Sequence, residues 1–308
     1  MKRDLISIQD LTREEIEHLF DVTAKLKTSS SHMSDHLRGK AVALIFQKPS
    51  NRTRVSFEVG IWQMGGKCFY LGPDEINLGK RESTSDAAKT FSRYLNAVVA
   101  RTFSHQDIVD LAKYSTIPVI NGLSDESHPC QALTDVFTVK EHFGTLKDIQ
   151  VAYIGDGINV CTSLMECCAK LGVDMSISSP KKYEPPANIM ALAKKIAQKS
   201  GAKIEFFKKP EDAMKGAHVI YTDTWVSMGQ EEETKKRLKD FEGFQINTKL
   251  AAKANKDYVF MHCLPAHRGQ EMTADIIDGR HSIVFDQAEN RMHVQKAILI
   301  WLLGGKQK

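Results

Sequence analysis

From Leu37 onward, short apolar, β-rich runs alternate with longer amphipathic stretches, and that alternation requires parallel sheets covered by helices. A first series of candidate strands comprises 41–46, 67–71, 97–102 and 117–121. A second comprises 149–154, 174–178, 203–207, 218–222, 258–262 and 282–285. The fold class is therefore α/β with two domains, each a mostly parallel sheet flanked by helices, and a cleft for the active site is expected between them. The helical segment Pro129 to Phe143 closes the first domain, because Gly144 can stop it before Leu146-Lys147-Asp148 leads into the next strand. The expected domains are thus 1–143 and 144–288. A last amphipathic helix, Glu289 to Leu303, carries apolar positions at Met292, Val294, Ala297, Ile298, Trp301 and Leu302. That closing segment, 289–308, is expected to pack back on the first domain.

At 308 residues the chain can bury two cores. Its 42 basic and 38 acidic residues are mixed along the sequence, so the net charge of +4 forms no polybasic tail that would point to nucleic acid. A small anionic substrate remains compatible. No apolar stretch reaches the roughly 18 residues that span a bilayer, and the opening MKRDLISIQDLTREEIEHLF has no signal-peptide apolar region, so a cytoplasmic protein without a membrane partner is expected. The cysteines, at 68, 130, 161, 167, 168 and 263, show no paired CxxC spacing and are expected to be reduced thiols. His262, Cys263 and His267 lie close in sequence, but they are too few for a zinc site and are split by Pro265, so no metal is expected.

Polar groups with chemical potential follow the strands. Ser50-Asn51-Arg52-Thr53-Arg54 stands between a strand and a helix, where hydroxyls, guanidinium forks and free backbone N–H groups suit a phosphate. A solvated basic turn is the plainer alternative. Arg101 and Thr102 emerge at a strand's carboxyl end, the place where open α/β sheets hold ligands. In His128-Pro129-Cys130-Gln131 the proline opens a helix, so His128 and Gln131 can point one way, although His128 could simply cap that helix. Gly155-Asp156-Gly157-Ile158-Asn159-Val160 superficially matches a dinucleotide turn. The third glycine is absent, and the next strand ends in Ser178-Ser179-Pro180 instead of a ribose-binding acid, so nucleotide binding is not expected. Asn159 can instead bind a carboxylate at a helix start. Asp223, after the strand ending near Tyr221, can pair with an ammonium, with Ser227 supplying a hydrogen bond; the alternative is a cap for a helix starting around Gln230. Glu231-Glu232-Glu233 and Lys235-Lys236-Arg237 read as a solvated helix. Cys263 is either a buried thiol or a polar participant, and Arg291 in Ala288-Glu289-Asn290-Arg291 can reach toward the cleft.

In this order, SNRTR, HPCQ, DTWVSMG, HCLPAHRG and AENR resemble the aspartate/ornithine carbamoyltransferase family over nearly the whole chain, and DTWVSMG with HCLP favours the ornithine branch. The resemblance implies a carbamoyl-phosphate domain, an amino-acid domain, a closing cleft, and a homotrimer or an assembly of trimers. It implies that Ser50, Asn51, Arg52, Thr53, Asn77, Arg101, His128, Gln131 and Arg291 hold carbamoyl phosphate, with Cys263 and Leu264 touching its carbamoyl end. Asn159, Asp223, Ser227 and Met228 would bind ornithine. Catalysis would rest on Arg52, Arg101, His128, Asp223 and Cys263, with no metal and no organic cofactor. Asn51 stands where threonine is common and Ile158 where asparagine is common; Asn77 stands where many relatives carry a glutamine that reaches a neighbouring subunit. Putrescine is the competing acceptor within the same chemistry, while a nicotinamide-dependent oxidoreductase and a non-catalytic anion-binding module are the competitors of other classes.

Overall fold

The protein is described by a computed structural model that covers residues 2–76, 78, 82–227 and 229–304. Asn77 and Met228, both expected to bind substrate, lie outside the described residues. The chain divides into two compact units. One runs to Thr134 and resumes at Glu289; the other is Asp135–Ala288.

The first unit is built on β1 (Ala41–Phe46), β2 (Lys67–Leu71), β3 (Ala97–Arg101) and β4 (Val119–Leu123). They form one parallel sheet in the order β2-β1-β3-β4. Every residue of β3 is buried, as expected of a central strand covered on both faces. Ala43, Ile45, Val98, Ala100 and Val119 pack with Ile108 and Leu111 of the helix His105–Tyr114 and with Ala87 and Ala88 of the helix Thr84–Tyr94. The open edge of β4 is protected by the amino-terminal segment: the Leu5 N–H donates to the Val119 carbonyl at 2.9 Å, and the Asn121 N–H donates to the Leu5 carbonyl at 2.8 Å.

The second unit is built on β5 (Gln150–Ile154), β6 (Asp174–Ser178), β7 (Ile204–Phe206), β8 (Val219–Thr222) and β9 (Val259–His262). These are again parallel, in the order β7-β6-β5-β8-β9. Ala152, Ile154, Ile220 and Phe260 form its core with Ile246, Met272, Ile276 and Val284.

Two expectations need correction. The run 282–285 is not a strand: Ser282 makes a single bridge to Phe260, and the chain enters the helix Val284–Leu303 two residues later. A four-residue apolar run has too little periodicity to separate the two states. The final helix consequently starts five residues before Glu289. β4 is displaced from 117–121 to Val119–Leu123, since Pro118 has no N–H to give the ladder and the chain stays extended through Asn121-Gly122-Leu123. The two compact units divide at Thr134/Asp135, inside the helix Pro129–Phe143. Side-chain partners follow that division: Gln131 bonds with Arg291 of the first unit, whereas Asp135 bonds with Tyr221 and Gln287 of the second.

Asn121 closes the loop that follows β4. Its buried Nδ2 donates to the Ile6 carbonyl at 2.9 Å, the Ser127 carbonyl at 3.2 Å and Ser124 Oγ at 3.3 Å. Asn121→Ala deletes these bonds inside a dry core, and a loss of about 2 kcal/mol is expected. The checks are a lowered urea midpoint and faster hydrogen exchange at Ser124 and Ser127; an unchanged midpoint would show that the network adds nothing to stability.

Candidate active site

In the first sheet the connections leaving β1 and β3 run to opposite sides, so a crevice opens beyond their carboxyl ends. Ser50 stands there as the N-cap of the helix Asn51–Gln63, and its Oγ accepts from the Thr53 N–H at 3.4 Å and donates to Thr53 Oγ1 at 3.1 Å. Asn51 and Arg52 open the helix, where the first-turn N–H groups and the dipole favour an anion. Thr53 is buried and is bound by Arg291, whose Nη2 donates to Thr53 Oγ1 at 3.2 Å. The other terminal nitrogen of Arg291 donates to Gln131 Oε1. Both of these partners are neutral oxygens, and they orient the guanidinium. Arg101, the last residue of β3, is 6% exposed, and its charge reaches His128 together with that of Arg291. Burial pushes the His128 imidazole well below its ordinary range, and these two guanidiniums push it further. His128 is therefore a neutral imidazole at physiological pH, able to donate one hydrogen bond without carrying charge.

Ser50, Thr53, Arg101, His128, Gln131 and Arg291, scattered over the sequence, thus belong to one unit and are linked through Thr53, Arg291 and His128. Arg54 turns elsewhere. Its Nε donates to Glu58 Oε1 at 3.0 Å, and its guanidinium lies 3.6 Å from the centre of the Tyr70 ring. Cys130, adjacent in sequence to His128 and Pro129, is a buried thiol pushed up to about 12 by burial, so it packs and does not react.

The second sheet repeats the crevice between β5 and β8. Asp223 follows β8, and its Oδ1 accepts from the Thr224 N–H at 2.7 Å and from the Cys263 thiol at 2.9 Å. It does not cap a helix near Gln230. A short 3-10 turn, Glu231–Glu233, comes first, followed by the helix Thr234–Asp240. Ser227 is held in a reciprocal turn: its N–H donates to Gln230 Oε1 at 3.0 Å and its carbonyl accepts from the Gln230 N–H at 3.0 Å. Asn159 begins the helix Asn159–Leu171, where its Oδ1 accepts from the Val160 N–H at 2.8 Å. Leu264 has φ +58°, and its N–H donates to His262 Nδ1 at 2.8 Å.

Asp223, His262 and Cys263 bring metal-ligating atoms within 4.8 Å of one another. His262 Nδ1 is engaged by Leu264, and its Nε2 lies 3.3 Å from Glu271 Oε1. His267 faces Thr224 Oγ1 at 3.2 Å. Within the cluster the Cys263 thiol donates to Asp223, and His262 Nδ1 accepts from the Leu264 N–H.

The glycine-rich loop after β5 has a packing explanation. A Cβ on Gly157 would stand 2.3 Å from the Pro185 nitrogen, and the Gly157 N–H donates to the Tyr183 carbonyl at 2.8 Å. The backbone of 183–185 therefore occupies the close approach that a dinucleotide turn reserves for pyrophosphate. Asp156, in the same loop, receives Arg237, which sequence reasoning had placed on a solvated face. Arg237 is 4% exposed, donates from Nε to the Trp225 carbonyl at 2.5 Å, and lies over the Tyr183 and Phe241 rings. It thereby ties the segment carrying Asp223 and Ser227 to the loop after β5.

Two descriptions match the chain. The aspartate/ornithine carbamoyltransferase carbamoyl-P binding domain matches residues 3–141, and the Asp/Orn binding domain of the same family matches 147–302. The chain is 50% identical over 305 residues to the ornithine carbamoyltransferase of Pyrococcus horikoshii, covering 98% of this chain and 96% of that one. Identity to the anabolic ornithine carbamoyltransferase of Pyrococcus furiosus is also 50%, covering 98% and 97%. A solved structure of ornithine carbamoyltransferase from Pyrococcus furiosus superposes with a TM-score of 0.96 at 49% identity, covering 99% and 98%. That of the anabolic enzyme from Campylobacter jejuni gives 0.93 at 39%, covering 98% and 99%.

The Asp156–Arg237 pair generates a pH dependence. Burial raises the Asp156 carboxyl from 3.8 to about 6, outweighing the attraction of Arg237. Between those values the folded chain holds a proton that the unfolded chain has released. This group's contribution is therefore fully present below pH 3.8 and declines as the pH rises to about 6. Urea midpoints of wild type and Asp156→Asn across that interval should differ in slope, with the decline smaller in the variant; parallel profiles would contradict the assignment.

Proposed function

The chain belongs to the aspartate/ornithine carbamoyltransferase family, and we propose that it transfers the carbamoyl group of carbamoyl phosphate to the δ-amine of L-ornithine, giving L-citrulline and phosphate. The observation that carries this reading is the cluster of Thr53, Arg101, His128, Gln131 and Arg291 in the first unit, two guanidiniums and a neutral imidazole suited to a small dianion with a polarisable carbonyl. The choice of ornithine draws on the full-length relatives, which carry that name.

In this reaction Ser50, Asn51, Arg52 and the opening N–H groups of the helix Asn51–Gln63 bind the phosphate, and Arg52 offsets its charge as it leaves. Thr53, Arg101 and His128 polarise the carbonyl oxygen, which becomes negative in the tetrahedral intermediate. Gln131 orients Arg291, which serves the carbamoyl end of the donor. Asn159 and Ser227 take the α-carboxylate and Asp223 the α-ammonium. The attacking δ-amine resembles that of lysine, so its neutral form costs roughly 4 kcal/mol at pH 7.4. Desolvation lowers that cost, and the Asp223–Cys263 pair orients the amine. Attack by the neutral amine forms the C–N bond, collapse breaks the C–O bond to phosphate, and the proton that the nitrogen loses ends on the departing phosphate, which leaves as hydrogen phosphate.

Incubation with carbamoyl phosphate and ornithine, putrescine or aspartate, offered separately, should yield ureido product with ornithine; product only with another acceptor would reject the assignment. Replacing His128 by alanine removes a donor to the developing oxyanion, and kcat for ornithine should fall about 100-fold. A fall below threefold would leave His128 without that role.

A homotrimer is proposed as the working assembly. Val55 and Trp62, seven residues apart on one helix face, and Phe69 on the edge strand β2 are all exposed apolar groups of the first unit. Light scattering should give about three times the 34.5 kDa chain mass, or a multiple of that; a monomer would refute the proposal.

A further inference from the structure

Gln287 lies in the first turns of the helix Val284–Leu303, one residue before the motif that ends in Arg291, and it is buried. Its side chain joins two strand ends. Nε2 donates to Asp135 Oδ1 at 2.7 Å and to the Tyr221 hydroxyl at 3.2 Å, while Oε1 accepts from the His262 backbone N–H at 3.0 Å. The Tyr221 hydroxyl in turn donates to Asp135 Oδ2 at 3.0 Å. Tyr221 is the penultimate residue of β8, and His262 is the last residue of β9. β9 is the edge strand of its sheet, and the Phe260 N–H on that edge goes to the His281 carbonyl at 2.7 Å. The next N–H on the same side is that of His262, which the chain satisfies with a side chain in place of a further strand.

We propose that Gln287 is a positioning residue for the amino-acid step: one planar amide ties the ends of the two paired strands to Asp135 and thereby braces the Asp223–Cys263 pair. The inference rests on the reaction proposed above. Asp223 lies two residues after Tyr221 and Cys263 one residue after His262, and the thiol reaches the carboxylate at 2.9 Å. The same arrangement extends to the next turn, because His262 Nδ1 accepts from the Leu264 N–H at 2.8 Å and so holds the segment that presents Cys263. A buried amide with both donors and its acceptor engaged is a rigid spacer. Its buried position removes it from direct contact with solvent-borne substrate, so it acts through the pair and not on the reacting atoms.

The test uses the full-length enzyme in steady state with carbamoyl phosphate and ornithine. Gln287→Glu is nearly isosteric and keeps the acceptor for His262, but sets a second carboxylate oxygen against Asp135. It should raise the ornithine KM about tenfold and lower kcat, with the carbamoyl-phosphate KM changed less than about twofold, magnitudes typical of coupled contacts. Combined with Cys263→Ser, the loss should fall short of the product of the two single losses by about fivefold or more. Losses that simply multiply, or equal rises in both KM values, would overturn the inference. If Gln287→Glu fails to fold by near-ultraviolet circular dichroism, Tyr221→Phe removes one hydroxyl from the same network and is judged by the same coupling with Cys263→Ser. A wild-type enzyme that does not turn over ornithine would overturn the functional reading itself, and this inference with it.

Discussion

A parallel sheet whose connections diverge to opposite faces leaves a gap that no crossover covers, and this chain builds such a gap twice. In the first unit it lies beyond β1 and β3; in the second, beyond β5 and β8. Strand ends are rigid because ladder bonds fix them, yet the residues just after them are released from the sheet and can turn their side chains to a ligand. Arg101, Asp223 and Cys263 all stand at or just past such an end, and Ser50 stands where the chain passes from β1 into a helix. The placement combines a fixed backbone with polar side chains, which a site on a long loop would not supply.

Burying cationic groups beside a titratable imidazole imposes a second constraint. Arg101 and Arg291 are nearly excluded from water, and each makes protonation of His128 less favourable. The arrangement favours an incoming anion, since two guanidiniums attract a dianionic phosphate while His128 stays an uncharged donor. Gln131 and Thr53 hold Arg291 through neutral oxygens, which fix the orientation of its planar fork.

Much of this was legible because the groups sit next to strong local punctuation. Apolar runs of five or six residues marked β1, β2 and β6 to the residue, and Pro129 marked the helix start beside His128. The resemblance in SNRTR, HPCQ and DTWVSMG then tied those places together, and the family match extends over both units. What stayed hidden were partners distant in sequence. Arg237 read as one more cation beside Lys235 and Lys236, yet it is buried against Asp156, 81 positions away. Nothing local separates it from its neighbours, because helical phase decides burial and the helix is only seven residues long. Gln287 was likewise unmarked: a glutamine at a helix start is ordinary, and its meaning comes from Asp135, 152 positions away. The helix Arg13–Thr28 had a readable signal that went unused, the capping box of Thr12 and Glu15.

The glycine-rich loop after β5 shows how a sequence pattern can share a shape with a different chemistry. In a dinucleotide fold the second glycine is small so that a pyrophosphate can approach the backbone. Here the same smallness admits the chain itself, since the Pro185 nitrogen would lie 2.3 Å from any Cβ on Gly157. Asp156 between the glycines is then enclosed, and burial alone would favour its neutral form. Arg237 supplies the opposite charge and extends to the Trp225 carbonyl, so the loop becomes an anchor for the segment carrying Asp223 and Ser227. Trp225 stacks on Phe241 with ring centres 5.3 Å apart, which closes the apolar side of that anchor. The first unit's crevice thus gathers guanidiniums, hydroxyls and an imidazole, chemistry suited to an anion, whereas the corresponding crevice of the second is organised around a carboxylate and a thiol, chemistry suited to a cationic amine.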